Sequence, residues 1–523
     1  MSRFRLLAAM CLAVVVNACV TPPPAPPPAP PPPTLGVFDN QGDVGATALA
    51  GSASFDAATG QYTVTGGGAN IWGSTDAFHY VWTRRSGDLH VAADIDWVGA
   101  GHVDHRKAGV MIRQNLTPGS PYMDVMVHGS GLTSLQYRAV QDGPTYQIAS
   151  NVSAPRRVQL EREGQYAYFS VSGADGVLHH AGGSFRLPLT EPYYVGLAVS
   201  GHDNTLTETA HFSNVELSVP QLATIADTGY AAQVEATLEI MDIQNGSYPQ
   251  GNRRVVRHFD HKIEAPNWSR DGHSLIYNDQ GHLYSIPVEG GEPAMINTGD
   301  RTKLNNDHGI SPDGTQLVIS DQSEADNLSR IYMLPFAGAD HPRLVVQRPN
   351  GRAYWHAWSP NGRTLIYVAV GGAGNEYDLH SVGIDGRHDR RLTTADGTDD
   401  GPEYTPDGQW VYFNSQRSGA MQIWRMKPDG SQPTQVTNDT NYRDWFPHIS
   451  PDGKLIAFVS FGTDVPLNDH PPNKDVMIRL MPIDGSSPPI VLTTLFGGQG
   501  TMNVPSWSPD GHEIAFVSYR LKR

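Results

Sequence analysis

Cysteine is almost missing from this chain: its 523 residues hold only Cys11 and Cys19, both close to the N-terminus. The body therefore has no disulfide framework, no cysteine zinc site and no thiol nucleophile. Charge is sparse as well. Asp, Glu, Lys and Arg supply 17% of the residues, and the net charge of −16 disfavours nonspecific binding to nucleic acid or an anionic bilayer. Beyond the N-terminal residues no apolar run is long enough for a transmembrane helix. Helical periodicity is nearly absent. No Gly-x-Ser-x-Gly elbow, His-Glu-x-x-His pair or phosphate loop occurs. What the chain has in quantity is glycine (54) and proline (40). That mixture suits short strands joined by tight turns and predicts an all-β protein.

Arg3 and Arg5 precede an apolar run from Leu6 to Val16, too short to span a bilayer. Val16-Asn17-Ala18-Cys19 follows and resembles the bacterial lipoprotein signal, in which the cysteine is lipidated and becomes the new N-terminus. The resemblance implies a signal over residues 1–19 with Cys19 as the lipidation site. Val20 stands where an acidic residue would mark inner-membrane retention, which implies the outer membrane. The membrane would then be met only through the lipid anchor, with the body in the periplasm or at the cell surface. A proline-rich linker occupies residues 20–35. Its TPPPAPPPAPPPPT run, Thr21 to Thr34, predicts a polyproline II spacer of about 43 Å at ~3.1 Å per residue.

Residues 36–220 alternate short β-rich runs with glycine turns. Strands are predicted at Gln61–Thr65, His90–Asp96, Ala108–Arg113, Tyr122–His128, Arg156–Glu161, Tyr166–Ser172, Tyr193–Val199 and His211–Ser218, a spacing that suits an antiparallel sandwich. Ala69-Asn70-Ile71-Trp72-Gly73, Asp76-Ala77-Phe78-His79-Tyr80 and Lys107-Ala108-Gly109-Val110-Met111-Ile112-Arg113 resemble phrases of a concanavalin-like β-sandwich domain appended to secreted bacterial glycosidases. The resemblance implies that fold and a polysaccharide-rich setting. Trp72, Tyr80, Trp82 and Trp97 suit either sugar-facing positions or the core. His102 and His105 read as part of a solvated polar loop.

Residues 221–523 are a repeat array. Six copies of one phrase recur: Trp268–Gly272, Ile310–Gly314, Trp358–Gly362, Tyr404–Gly408, Ile449–Gly453 and Trp507–Gly511. Ser at the first position of its Ser-Pro-Asp-Gly core, Pro at the second and Gly at the fourth match a type I turn. Apolar strands such as Thr364–Ala369 and Trp410–Asn414 follow, then Gln422–Lys427 and Thr434–Thr437. Four antiparallel strands every 42 to 58 residues (Asp271 to Asp313, Asp452 to Asp510) predict propeller blades. The last copy is followed by one strand pair only, so Thr237–Ile243 and Arg253–His258 are expected to complete it and close a six-bladed ring. Gly371-Gly372-Ala373-Gly374 reads as a hairpin loop rather than a nucleotide cradle. These phrases resemble the propeller of TolB, the periplasmic partner in the Tol–Pal system. That family carries an α/β domain before its propeller, where this chain has the sandwich. The fold class is thus a concanavalin-like sandwich followed by a six-bladed β-propeller.

Residues just before each turn phrase gather at one mouth of a propeller channel. The candidates for ligand binding are Asn306, Asp307, His308, Tyr354, Trp355, His356, Asp400, Glu403, Trp445, His448 and Asn503. In one reading Tyr354, Trp355 and Trp445 stack on sugar rings while carboxylates and amides hold hydroxyls. The chain would then be an outer-membrane lipoprotein that engages a glycan or polysaccharide. In a second, His308, His356, Glu403 and His448 bind a divalent metal cofactor for a lyase or hydrolase. Strand alternation puts the first two of these on one face and the last two on the other. In a third, implied by the TolB resemblance, the mouth binds a protein segment, and a peptidoglycan-associated lipoprotein is the partner.

Overall fold

Every regular element among the described residues is a β-strand. The computed structural model describes residues 35–220, 233–243, 252–371 and 377–522. Cys19, the proline-rich segment, and Gly372, Ala373 and Gly374 of the predicted hairpin loop lie outside the described residues.

Two large sheets come first. One has ten strands, ordered Asn40–Val44, Phe78–Arg85, Tyr193–Ser200, Lys107–Arg113, Tyr122–His128, Thr133–Arg138, Thr145–Ala149, Arg253–Phe259, Val234–Asp242 and Glu513–Leu521. The other has seven, ordered Leu178–Arg186, Tyr166–Ser172, Arg157–Glu163, Leu89–Trp97, Glu208–Ser218, Gln61–Gly66 and Ser52–Asp56. Period-two alternation sends Val110, Val125 and Leu135 of the first sheet, and Val91, Leu160 and Phe212 of the second, into one buried apolar cluster. All eight strands predicted between residues 61 and 218 are present, their ends shifted by three residues at most.

Five separate sheets of four strands follow, over residues 263–296, 304–346, 352–391, 399–435 and 442–498. Each innermost strand runs into a turn phrase, and the turn chemistry is the same in all six phrases. Ser311 Oγ donates to Asp313 Oδ1 (2.5 Å) and accepts the Gln316 N–H (2.9 Å), while the Gly314 N–H donates to the Ser311 carbonyl (2.9 Å). Thr405 takes the serine's place and Asn361 the aspartate's without altering the pattern. The turns also touch one another in a cycle. Gly314 lies beside Arg270, Gly362 beside Pro312, Gly408 beside Pro360, Gly453 beside Pro406, Gly511 beside Pro451, and Gly272 beside Pro509. The turn glycines hold φ between 68 and 76°, which a side chain would strain.

Among the described residues the count of complete blades is five, where the sequence predicts six. The last turn phrase is entered by a single bridge, Trp507 with Ile514, and not by an inner strand. Glu513–Leu521 pairs antiparallel with Val234–Asp242, which pairs with Arg253–Phe259, so the expected closing strands do meet the last strand. Their sheet does not end there: Arg253 and Arg254 pair in parallel with Ile148 and Ala149 of the neighbouring sheet. An open edge strand is a template for further pairing, and here Thr145–Ala149 takes it, so no sixth sheet stands alone.

Candidate functional site

Each inner strand of a blade carries a β-bulge just before its turn phrase. The pairing register slips between Glu264 and Asn267, Leu304 and His308, Trp355 and Ala357, Asp400 and Glu403, and Trp445 and His448. A bulge inserts an unpaired residue and re-aims the side chains beside it. Strict alternation therefore fails at the positions from which the sequence reading drew its candidates.

The re-aimed side chains divide between two cavities. One, of about 320 Å³, lies against the first halves of the inner strands. It receives Asn306, Asp307, Tyr354, His356, Asp400, Trp445 and Asn503, seven of the sequence candidates. The other, of about 430 Å³, lies at the strand ends, among the prolines and tryptophans of the turn phrases, and receives Trp355 and Glu403. His308 and His448 line neither.

An imidazole between carboxylates dominates the first cavity. His356 Nε2 lies 3.1 Å from Asp400 Oδ1 and 4.0 Å from Asp307 Oδ1. Burial opposes the charged imidazole, but Asp307 and Asp400 outweigh it and hold His356 above its ordinary value. Burial pushes Asp307 up to about 6 despite His356 nearby. Asp400 goes the other way: the hydrogen bond and charge of His356 overcome burial and lower it. The His356 ring stacks on Phe446 (centroids 6.4 Å apart, planes at 16°), and His470 packs edge-on against the same phenyl. Paired in this way, the groups present a desolvated patch of mixed charge that suits hydrogen-bond donors and cations entering from outside.

His470, with Asn468 and Asp469, is a wall of this cavity that the sequence reading missed. These residues lie in the connection between Leu455–Gly462 and Pro472–Pro482, away from any turn phrase. Gln322, Tyr377 and Gln499 are likewise unannounced. The signal for all but Tyr377, which opens the strand Tyr377–Gly383, would have been polar residues in loops on the side of the ring opposite the turn phrases.

Two of the candidate roles need correction. His308, His356, Glu403 and His448 do not converge on one point. His448 Nδ1 lies 2.7 Å from Glu403 Oε2 and its Nε2 donates to the Met502 carbonyl (3.1 Å), while Glu403 Oε1 accepts the Ile449 N–H (3.0 Å). Glu403 and His448 thus tie neighbouring blades together. His308 is fully buried, and burial pulls its imidazole down to about 4. Among the described residues, the group of three or more potential ligands brought within metal-binding reach is a different one, His90, Glu161 and Glu163. Nor are Trp355 and Trp445 open stacking faces. They are 1% and 0% exposed. The Trp355 ring lies against Gly309, and Trp445 is covered by His470, their rings 4.3 Å apart.

A ring of repeated turns, bulged inner strands and a polar channel cavity define a propeller of the TolB type, and a family model described as "TolB beta propeller domain" matches residues 326–466. "Uncharacterized protein Atu1656" of Agrobacterium fabrum is 45% identical over 299 residues, which cover 57% of this chain and 97% of that protein. A solved structure, "The structure of putative TolB from Agrobacterium tumefaciens", superposes with a TM-score of 0.51 at 45% identity and covers 55% of this chain and 99% of its own. The chain belongs to this family of TolB-like propeller proteins. "Tol-Pal system protein TolB" of Francisella tularensis is 27% identical over 279 residues, and the match spans 50% of this chain and 58% of that protein.

Proposed function

We propose that the chain is a protein-binding scaffold of the Tol–Pal type, whose channel cavity takes a segment of a peptidoglycan-associated lipoprotein. The observation that carries this reading is the His356–Asp400–Asp307 array at the mouth of a propeller whose relatives include a Tol-Pal system protein. Buried carboxylates around one imidazole suit the basic and amide groups of a polypeptide. The glycan reading of the same mouth has lost its two largest stacking faces, and the metal-dependent reading has lost its ligand set. The proposal includes the setting: Cys19 as the lipidated residue, the proline-rich linker as the spacer, and an outer-membrane anchor with the body in the periplasm. It also takes residues 36–220 as the concanavalin-like domain and 221–523 as the propeller.

Biolayer interferometry of the full chain against the peptidoglycan-associated lipoprotein of the same bacterium tests the core of this reading. Saturable binding that weakens at least tenfold in Asp400→Asn is expected. Binding that is absent, or untouched by that substitution, would overturn it. For the anchor, Cys19→Ser should release the protein from sedimenting membranes, because a diacyl chain supplies the membrane affinity that an acidic body lacks.

A further inference from the structure

The outer face of the ten-stranded sheet is built unlike an ordinary solvated face. On Lys107–Arg113 and Tyr122–His128, Ala108, Val110, Ile112, Met123 and Val125 enter the core shared with the other sheet. Their alternates, Lys107, Arg113, Asp124 and His128, point the other way, where one face of an antiparallel sheet usually meets water. Here they are buried, with Ser134, Gln136 and Arg138 of the next strand. The segment around Asn70 to Asp76 covers them: Asp76 pairs with Arg138 (2.7 Å) and Arg113 (3.4 Å), and the Ile71 carbonyl accepts from Lys107 Nζ (2.7 Å).

A cavity of about 290 Å³ opens at the end of this layer. Its floor is Lys107, 2% exposed, whose ammonium spends two hydrogens on the Ile71 carbonyl and Gln136 Oε1 (3.2 Å) and has a third to give. The Trp72 ring stands 5.3 Å from that nitrogen. Three imidazoles complete the wall. His105 Nδ1 and His128 Nδ1 face each other at 3.4 Å, and the His202 ring lies 5.5 Å from that of His105. Asn70 and Gln147 add amides, and Asn70 Oδ1 is buried without a hydrogen-bond partner. Among the described residues that line the cavity there is no carboxylate.

Charge decides what such a cavity takes. Burial pulls Lys107 down to about 8, with Asp124 and Asp76 acting against the fall, so the ammonium is still mostly protonated at neutral pH. Burial, together with Lys107, brings His128 down to about 3, so its imidazole is neutral. A desolvated ammonium repels a metal ion from these imidazoles and attracts an anion. The flat indole, the amides and a volume at the lower end of small-molecule sites suit one ring bearing hydroxyls. We infer that this cavity binds a monosaccharide unit carrying a carboxylate, with the carboxylate on Lys107 and the sugar ring on Trp72. This site is independent of the propeller mouth and of the scaffold role proposed for it.

Isothermal titration of the full chain with sodium D-glucuronate tests the inference, with D-glucose, inorganic phosphate and zinc chloride as comparisons. Glucuronate should bind at least tenfold more tightly than any of the three. Trp72→Ala should weaken it tenfold or more with the thermal transition unchanged, and Lys107→Met should abolish it. If Lys107→Met fails to fold, Trp72→Ala carries the test, because Trp72 is only partly buried and lies in a loop. Equal binding of glucose, tighter binding of phosphate or zinc, no binding of glucuronate, or an unaffected Trp72→Ala protein would each overturn the assignment.

Discussion

Trp355 and Gly309 show how far one side chain determines its neighbour. A methyl group on Gly309 would sit 1.9 Å from the Trp355 Cη2, so the ring occupies the space that any larger residue would need. Trp355→Ala should cost about 3–5 kcal/mol, as for other interior aromatics. Gly309→Ala should be destabilising alone but much less so in the Trp355→Ala background, a coupling that a double-mutant cycle of urea midpoints would read directly. Additive costs would mean that the two residues do not share that space. At the cavity, Asp400→Asn should lower the His356 pKa, because it removes one of the two charges that hold the imidazole above its ordinary value. Histidine NMR titration of the two proteins checks the sign.

At the scale of one element, the turn phrase is the most legible feature, and it responds to acid. Hydrogen bonds from Ser269, Ser311, Thr405 and Ser508 hold Asp271, Asp313, Asp407 and Asp510 below the ordinary carboxylate range. A carboxylate depressed in the folded state adds stability above its unfolded value of about 3.9, and that stability is lost as pH falls through the folded value. The melting temperature should therefore fall as pH drops below about 4, and keep falling through the depressed folded values. Replacing these aspartates with asparagine, which already serves at Asn361, should flatten the drop, and scanning calorimetry across that range decides it. The turns could be read from sequence because their chemistry is local. Strands were legible where one face is apolar, as in Tyr166–Ser172. Thr133–Arg138 escaped notice because its polar alternates, Ser134, Gln136 and Arg138, are covered by a second layer, and TSLQYR then looks like a loop. The candidate site was half legible for a related reason: Asp307 and Trp355 hold the same place before their turn phrases, yet in bulged strands they reach different cavities, and no periodicity announces a bulge.

Across the whole molecule, the two-sheet part and the ring are held by more than their shared sheet. Arg253 is buried against Glu239 (2.6 Å), donates to the Ser184 carbonyl (3.0 Å) and lies 3.4 Å from Thr493. Arg520 reaches both Glu161 and Glu163 at 2.5 Å, and Tyr166 bonds Asp475. Breaking a buried ion pair leaves a charge unpaired at a cost of about 3–5 kcal/mol, so Arg253→Met should destabilise strongly. Because Arg253 contacts both parts, calorimetry should show a single transition moving down. Two separating transitions would mean that the parts are energetically independent.

The seam between Val234–Asp242 and Glu513–Leu521 also sets an order of events in biosynthesis. The 270 residues from 243 to 512 emerge between the two partners, and five blades can form while the first strand waits with an open edge. Gly272 meets Pro509 only when the last turn has arrived. Closure therefore follows the arrival of Glu513–Leu521, and until then a chaperone, or another copy of the same strand, can compete for that edge.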